Sequence, residues 1–253
     1  MTRCLIAALA LLGLAACRPA TETDVPVRVF SSNGVKALLL DVQTDVERAL
    51  GRPIAFEFST ATALTRRIDA GDIPDIAVLT SALVDRLGEQ GKLAPESRRD
   101  VARVGVGVGV RSDAPSSEIG TPEAFRTMLL DAPSVTFTAD GQSRATIDRA
   151  FDRLGIVQEM RARTILKGPG EAPAAVARGE AAVVLTLVSE IVEVPGLKLL
   201  GPLPPALQSQ VTFTAARGVT TKDSAAADRL LRALSGRDVA ARLARHGLEP
   251  AVR

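Results

Sequence analysis

The chain has 253 residues, 46% hydrophobic and 24% charged, which excludes a disordered or collagen-like polypeptide and leaves room for one large or two modest domains. Its 31 Lys and Arg against 29 Asp and Glu leave a formal charge of +2, without the clustered excess that a nucleic-acid partner requires. Trp and Tyr are absent and His246 is the single histidine, so aromatic stacking platforms, zinc triads and Ser-His-Asp catalysis lack their parts. No metal, no cofactor and no enzymatic activity are expected.

Arg3 and the uncharged run over 5–16 read as a secretory leader over 1–16, too short for the ~20 residues of a membrane-spanning helix. It ends in Leu14-Ala15-Ala16-Cys17, which resembles a bacterial lipobox. That resemblance implies lipidation at Cys17, and ordinary cleavage leaving a free Cys17 thiol is the alternative. Cys4 departs with the leader, so no internal disulfide is possible. Residues 17–26, polar and bearing two prolines, read as a tether.

From the end of the tether, Val25, Val27 and Val29 alternate as in a strand, and Ser32-Asn33-Gly34 makes a turn. Apolar positions 35, 38, 39, 42, 46 and 50 then follow the period of an amphipathic helix. The unit repeats with a strand at 54–58, the turn Thr60-Ala61-Thr62, a helix over 64–70, a strand over 75–79 and a helix over 81–90. Strands alternating with helices predict a largely parallel sheet covered on both faces. Residues 101–111 read as one long crossover strand, and glycines 105, 107 and 109 alternate within it without leading into a helix, so they do not form a dinucleotide loop.

A second α/β set follows: a helix opened by Thr121-Pro122-Glu123, a strand over 134–138, a helix from Ser143 to Leu154, a strand over 164–167, a helix over 171–178 behind Gly168-Pro169-Gly170, and a strand over 182–187. A further extended segment over 211–215 leads back, and helices over 223–235 and 237–246 pack on the first sheet. The expected organisation is lobe 1 from 27–104 and 213–253, with lobe 2 inserted as 105–212. Two crossover segments then act as a hinge beneath a ligand cleft.

Phe30-Ser31-Ser32-Asn33-Gly34-Val35, Phe58-Ser59-Thr60-Ala61-Thr62, Arg67-Ile68-Asp69-Ala70-Gly71, Asp75-Ile76-Ala77-Val78-Leu79, Val176-Ala177-Arg178-Gly179-Glu180 and Gly201-Pro202-Leu203-Pro204 occur in this order. Together they resemble the periplasmic molybdate-binding proteins of ABC importers. The resemblance implies an α/β fold, the two-lobed type II periplasmic binding clamshell, closing on a small oxyanion and delivering it to an ABC permease.

The candidate ligand-binding residues are Ser32, Asn33, Gly34, Thr60, Ala61, Thr62, Ser143, Arg144 and Gly170, four turns at helix starts where unpaired N–H groups and hydroxyls suit an anion. Arg144 is read either as a ligand partner or as neutralised by Asp140, and Arg66-Arg67 as a solvated helix face. Against the family, Gly34 and Ala61 stand where serines are expected and Leu187 where a tyrosine is, so the ligand stays open among molybdate, tungstate, sulfate, phosphate and a small organic acid. A lipid-anchored monomer in the periplasm is expected. A ligand sensor of the same fold is the alternative function.

Overall fold

A computed structural model describes residues 25–251; the leader over 1–16, Cys17 and the tether up to residue 24 lie outside the described residues. The described strands form two five-stranded sheets, the first in the order β2 (Ile54–Ser59), β1 (Val27–Ser32), β3 (Ile76–Thr80), β10 (Val211–Arg217), β4 (Arg99–Val104) and the second in the order β7 (Thr164–Lys167), β6 (Val135–Thr138), β8 (Val183–Leu187), β5 (Val106–Arg111), β9 (Leu197–Pro202). In the first, β1 (Val27–Ser32) pairs in parallel with β2 (Ile54–Ser59) and β3 (Ile76–Thr80). Parallel neighbours need a crossover, supplied by α1 (Lys36–Leu50) and α2 (Ala61–Asp69). The apolar stripe of α1 falls where its period places it, burying Leu38, Leu39, Val42, Val46 and Leu50. After α3 (Ser81–Glu89), β4 (Arg99–Val104) forms the sheet's far edge.

The second sheet comprises β5 (Val106–Arg111), β6 (Val135–Thr138), β7 (Thr164–Lys167), β8 (Val183–Leu187) and β9 (Leu197–Pro202). Its helices are α4 (Pro122–Asp131), α5 (Arg144–Leu154), α6 (Val157–Arg163), α7 (Ala172–Ala177) and α8 (Val188–Ile191). Thr121 caps α4 by accepting from the Ala124 N–H at 3.2 Å, with proline in the first turn. The chain then returns as β10 (Val211–Arg217), antiparallel between β3 and β4, and α9 (Ser224–Leu234) packs against β10 and α1. The result is the two-lobed α/β clamshell, with one apolar cluster running through both lobes.

Three local expectations are corrected. Residues 101–111 are not one strand: β4 and β5 belong to different sheets and part at Gly105. The cause lies in Gln208, whose amide accepts from the Val106 N–H at 2.9 Å and donates to its carbonyl at 2.7 Å, standing in for a neighbouring strand. A Cβ at Gly105 would come within 2.9 Å of that amide, so a larger residue there would push Gln208 off Val106. Secondly, residues 237–246 form α10 (Arg237–Ala240) and a separate 3-10 turn at Ala244–His246, in place of one helix. Thirdly, α6, α8 and β9 have no counterpart in the sequence reading. No helix among the described residues is long and apolar enough to cross a membrane.

Candidate functional site

All four turns lie at carboxyl ends of strands, where the two sheets face one another. Ser31 and Ser32 are fully buried at the end of β1. The Ser32 hydroxyl accepts from the Gly34 N–H at 3.3 Å and, across the cleft, from the Gln142 side-chain amide at 2.7 Å. Thr60 accepts from the Ala63 N–H at 3.2 Å as the cap of α2, and donates to the Asp140 carboxylate at 3.4 Å. Thr62 donates to the Asp140 carbonyl at 3.4 Å, and Arg66 pairs with the Asp140 carboxylate at 3.2 Å. Ala61 is buried in the first turn of α2. Thus the first two turns of lobe 1 meet the loop that leads into α5 of lobe 2.

Ser143 occupies the N-cap of α5, is 1% exposed, and caps nothing with its side chain. A cap of that residue type normally serves the helix, so a hydroxyl left uncommitted there remains available to a ligand. Gly170 has a left-handed φ of 76° and precedes α7, whose N-cap is Glu171. A Cβ there would lie 3.4 Å from the Asn33 amide nitrogen, which brings the fourth turn against the first.

Arg144 is placed differently from its expected role. Its Nε donates to both carboxylate oxygens of Asp148 at 2.8 Å, Nη1 reaches the Ala139 carbonyl at 3.3 Å, and the guanidinium lies over the Phe137 ring at 5.3 Å. One helical turn separates Arg144 from Asp148, which makes that pair the easiest for the side chain to form. Asp140, read as its neutraliser, instead takes Arg66, so Arg66 is an inter-lobe contact and not merely a solvated side chain. Arg67 points elsewhere, over Phe30 at 4.2 Å and onto Glu57 and Asp72.

Toward the hinge, Ser189 donates to the Gly34 carbonyl at 2.7 Å. His246, in the C-terminal segment of lobe 1, faces Glu193 of lobe 2 at 2.6 Å and Asp41 of α1 at 3.1 Å. Hydrogen bonds from Arg245, and then from His246, hold the Asp41 carboxyl below its ordinary range. Leu187 is fully buried against Gly34 together with Phe213.

Two cavities flank the Ser32–Gln142 contact. One of about 460 Å³ is lined by Ala61, Thr62, Ser81, Gln142, Gln210 and Thr212, and another of about 300 Å³ by Asn33, Lys36, Gly170, Ser189, Glu190 and Glu193. A larger space of about 660 Å³ beside α4 touches none of the turns. Gln142, Ser189, Lys36 and Glu190 were not singled out in the sequence. Gln142, immediately before the α5 cap, was the most accessible to such reasoning.

Burial pushes the Glu190 carboxyl up, against hydrogen bonds from the Thr186 hydroxyl and the Leu187 backbone that pull it down. A carboxyl raised on folding contributes stability below its unfolded value and loses it as pH rises through the folded value. Relative to the wild type, Glu190→Gln is therefore expected to melt progressively higher as the pH is raised over the range above about pH 4. Thermal denaturation across that range checks the sign; a gap that is constant or narrows with pH contradicts it.

The fold is the two-lobed α/β fold of type II periplasmic binding proteins. This chain belongs to the bacterial extracellular solute-binding protein family, whose model matches residues 27–249. It is 27% identical over 237 residues to a protein named aconitate isomerase from Pseudomonas sp, covering 91% of this chain and 90% of that one. The fold is similar to that of the periplasmic molybdate-binding protein of Azotobacter vinelandii, with TM-score 0.76, 15% identity, and coverage of 90% and 99%. It is also similar to the sulfate-binding protein of Mycobacterium tuberculosis H37Rv, with TM-score 0.70, 15% identity, and coverage of 89% and 87%.

Proposed function

We propose that the protein is a monomeric solute-binding lipoprotein of an ABC importer, anchored through Cys17 after removal of residues 1–16. Lobe 1 (27–104 and 213–253) and lobe 2 (105–212) close on a small anion, which is passed to a permease. The observation that carries this reading is the meeting of the Ser32, Thr60 and Ser143 turns across the cleft, with the Ser143 hydroxyl uncommitted. Helix starts there supply N–H donors and partial positive charge to an anion without a dedicated counter-ion. Closure follows because ligand contacts from both lobes exist together only in the closed state.

A thermal-shift panel of molybdate, tungstate, sulfate, phosphate and small carboxylates tests it. A ligand at 100 times its Kd stabilises by about 2.7 kcal/mol, which for a chain of this size raises the melting temperature by roughly 5 to 11 °C. At least one anion is expected to do so, and a panel without any shift contradicts the reading.

A second reading, an isomerase of a small unsaturated polycarboxylate, is favoured by the 27% identical relative named aconitate isomerase, matched over nearly its whole length. Proton NMR of aconitate incubated with purified protein separates the two: interconversion of its isomers supports catalysis, and unchanged spectra leave binding alone.

A further inference from the structure

The cavity lined by Asn33, Lys36, Gly170, Ser189, Glu190 and Glu193 draws its walls from both lobes and adjoins the Ser32 turn. At about 300 Å³ it exceeds the need of a single tetrahedral oxyanion, which displaces on the order of two or three waters at about 30 Å³ each. Its charge is also unbalanced. Arg66, Arg144 and Arg245 near the cleft are each paired with an aspartate. Lys36, on the first turn of α1, has no carboxylate at ion-pair distance among the described residues, and its ammonium rests 5.6 Å from the Phe58 ring centre. Of the two acidic residues in the wall, Glu193 faces His246, and Glu190 is held toward its neutral form by burial. What remains is a cation without a carboxylate partner and the Asn33 side-chain amide, beside the Ser32 turn.

We infer that this cavity receives the second carboxylate of a small di- or tricarboxylate, whose first carboxylate occupies the Ser32 and Ser143 turns. Lys36 pairs with that second group, and the Asn33 side-chain amide donates a hydrogen bond to it. The inference rests on the cleft-binding reading above and names the ligand class for it. Lys36 then determines specificity: it adds affinity only for acids long enough to reach from the turns into the cavity.

Calorimetric titration with propane-1,2,3-tricarboxylate, succinate, acetate, sulfate and molybdate, on the wild type, Lys36→Gln and Lys36→Arg, tests this. The tricarboxylate or succinate is expected to bind the wild type at least about tenfold more tightly than acetate or sulfate. Lys36→Gln should remove that advantage while leaving acetate and sulfate within about twofold, and Lys36→Arg should restore most of it. Lys36 is exposed, so the fold tolerates both changes. Molybdate or sulfate binding tightest and indifferent to Lys36→Gln overturns this inference and leaves the cleft reading intact. Equal losses for acetate and the tricarboxylate also overturn it. Failure of every probe to bind the wild type overturns both.

Discussion

Gly34→Ala is expected to destabilise the closed protein by about 1 to 3 kcal/mol, lowering its melting temperature by roughly 2 to 12 °C, and to weaken anion binding in parallel. A Cβ at this position would meet Leu187 Cδ1 at 2.6 Å and Phe213 Cε2 at 2.9 Å, with Phe213 Cζ closer still. Phe213 belongs to lobe 1 and Leu187 to lobe 2, so the added methyl acts as a wedge between them. Relief requires either strained rotamers or partial opening, and opening separates the turns proposed to hold the ligand. Leu187→Ala in the Gly34→Ala background should recover part of both losses, since contacting residues are not additive. An unchanged melting temperature in the single variant would mean that the turn does not pack against β8 and β10.

The double variant Ser32→Ala, Ser143→Ala is expected to bind the strongest anion of the panel about 10² to 10⁴ times more weakly. In the proposed complex each hydroxyl would donate one hydrogen bond to a charged group, a contribution of about 1.5 to 3 kcal/mol, and each 1.4 kcal/mol is about tenfold. The single variants separate recognition from folding. Ser143 caps nothing, so Ser143→Ala should weaken binding with little change in melting temperature. Ser32→Ala loses the Gln142 contact as well and should affect both. Arg144→Ala should leave affinity within about twofold, because its guanidinium is committed to Asp148. Titration calorimetry and denaturation on the same preparations check all four; a double variant that binds like the wild type removes these turns from the site.

The strand–turn–helix order was legible because the signals were local. The α1 stripe and the Thr121-Pro122 start are period and cap effects that tertiary context reinforces. Gly105 was misread because its role depends on Gln208, about a hundred residues later, and no window on the sequence contains both. The four-residue α8 and the strand β9, ending at Pro202, were missed because neither carries a distinct period. The turns at Ser32, Thr60 and Ser143 could be located as helix starts, but which side chains bridge them could not. The hydroxyls were visible, while Gln142, Asp140 and Arg66 bridge them only through the opposition of the lobes. Arg144 shows the converse: a local i, i+4 carboxylate was available and claimed it.

Closure of both lobes on one anion is tested most directly by hydrogen exchange, followed by mass spectrometry, with and without the strongest anion of the panel. The account predicts that amides of residues 31–34, 60–63 and 141–146 gain protection together at the same ligand concentration. Protection confined to one lobe, or none at saturation, would contradict it.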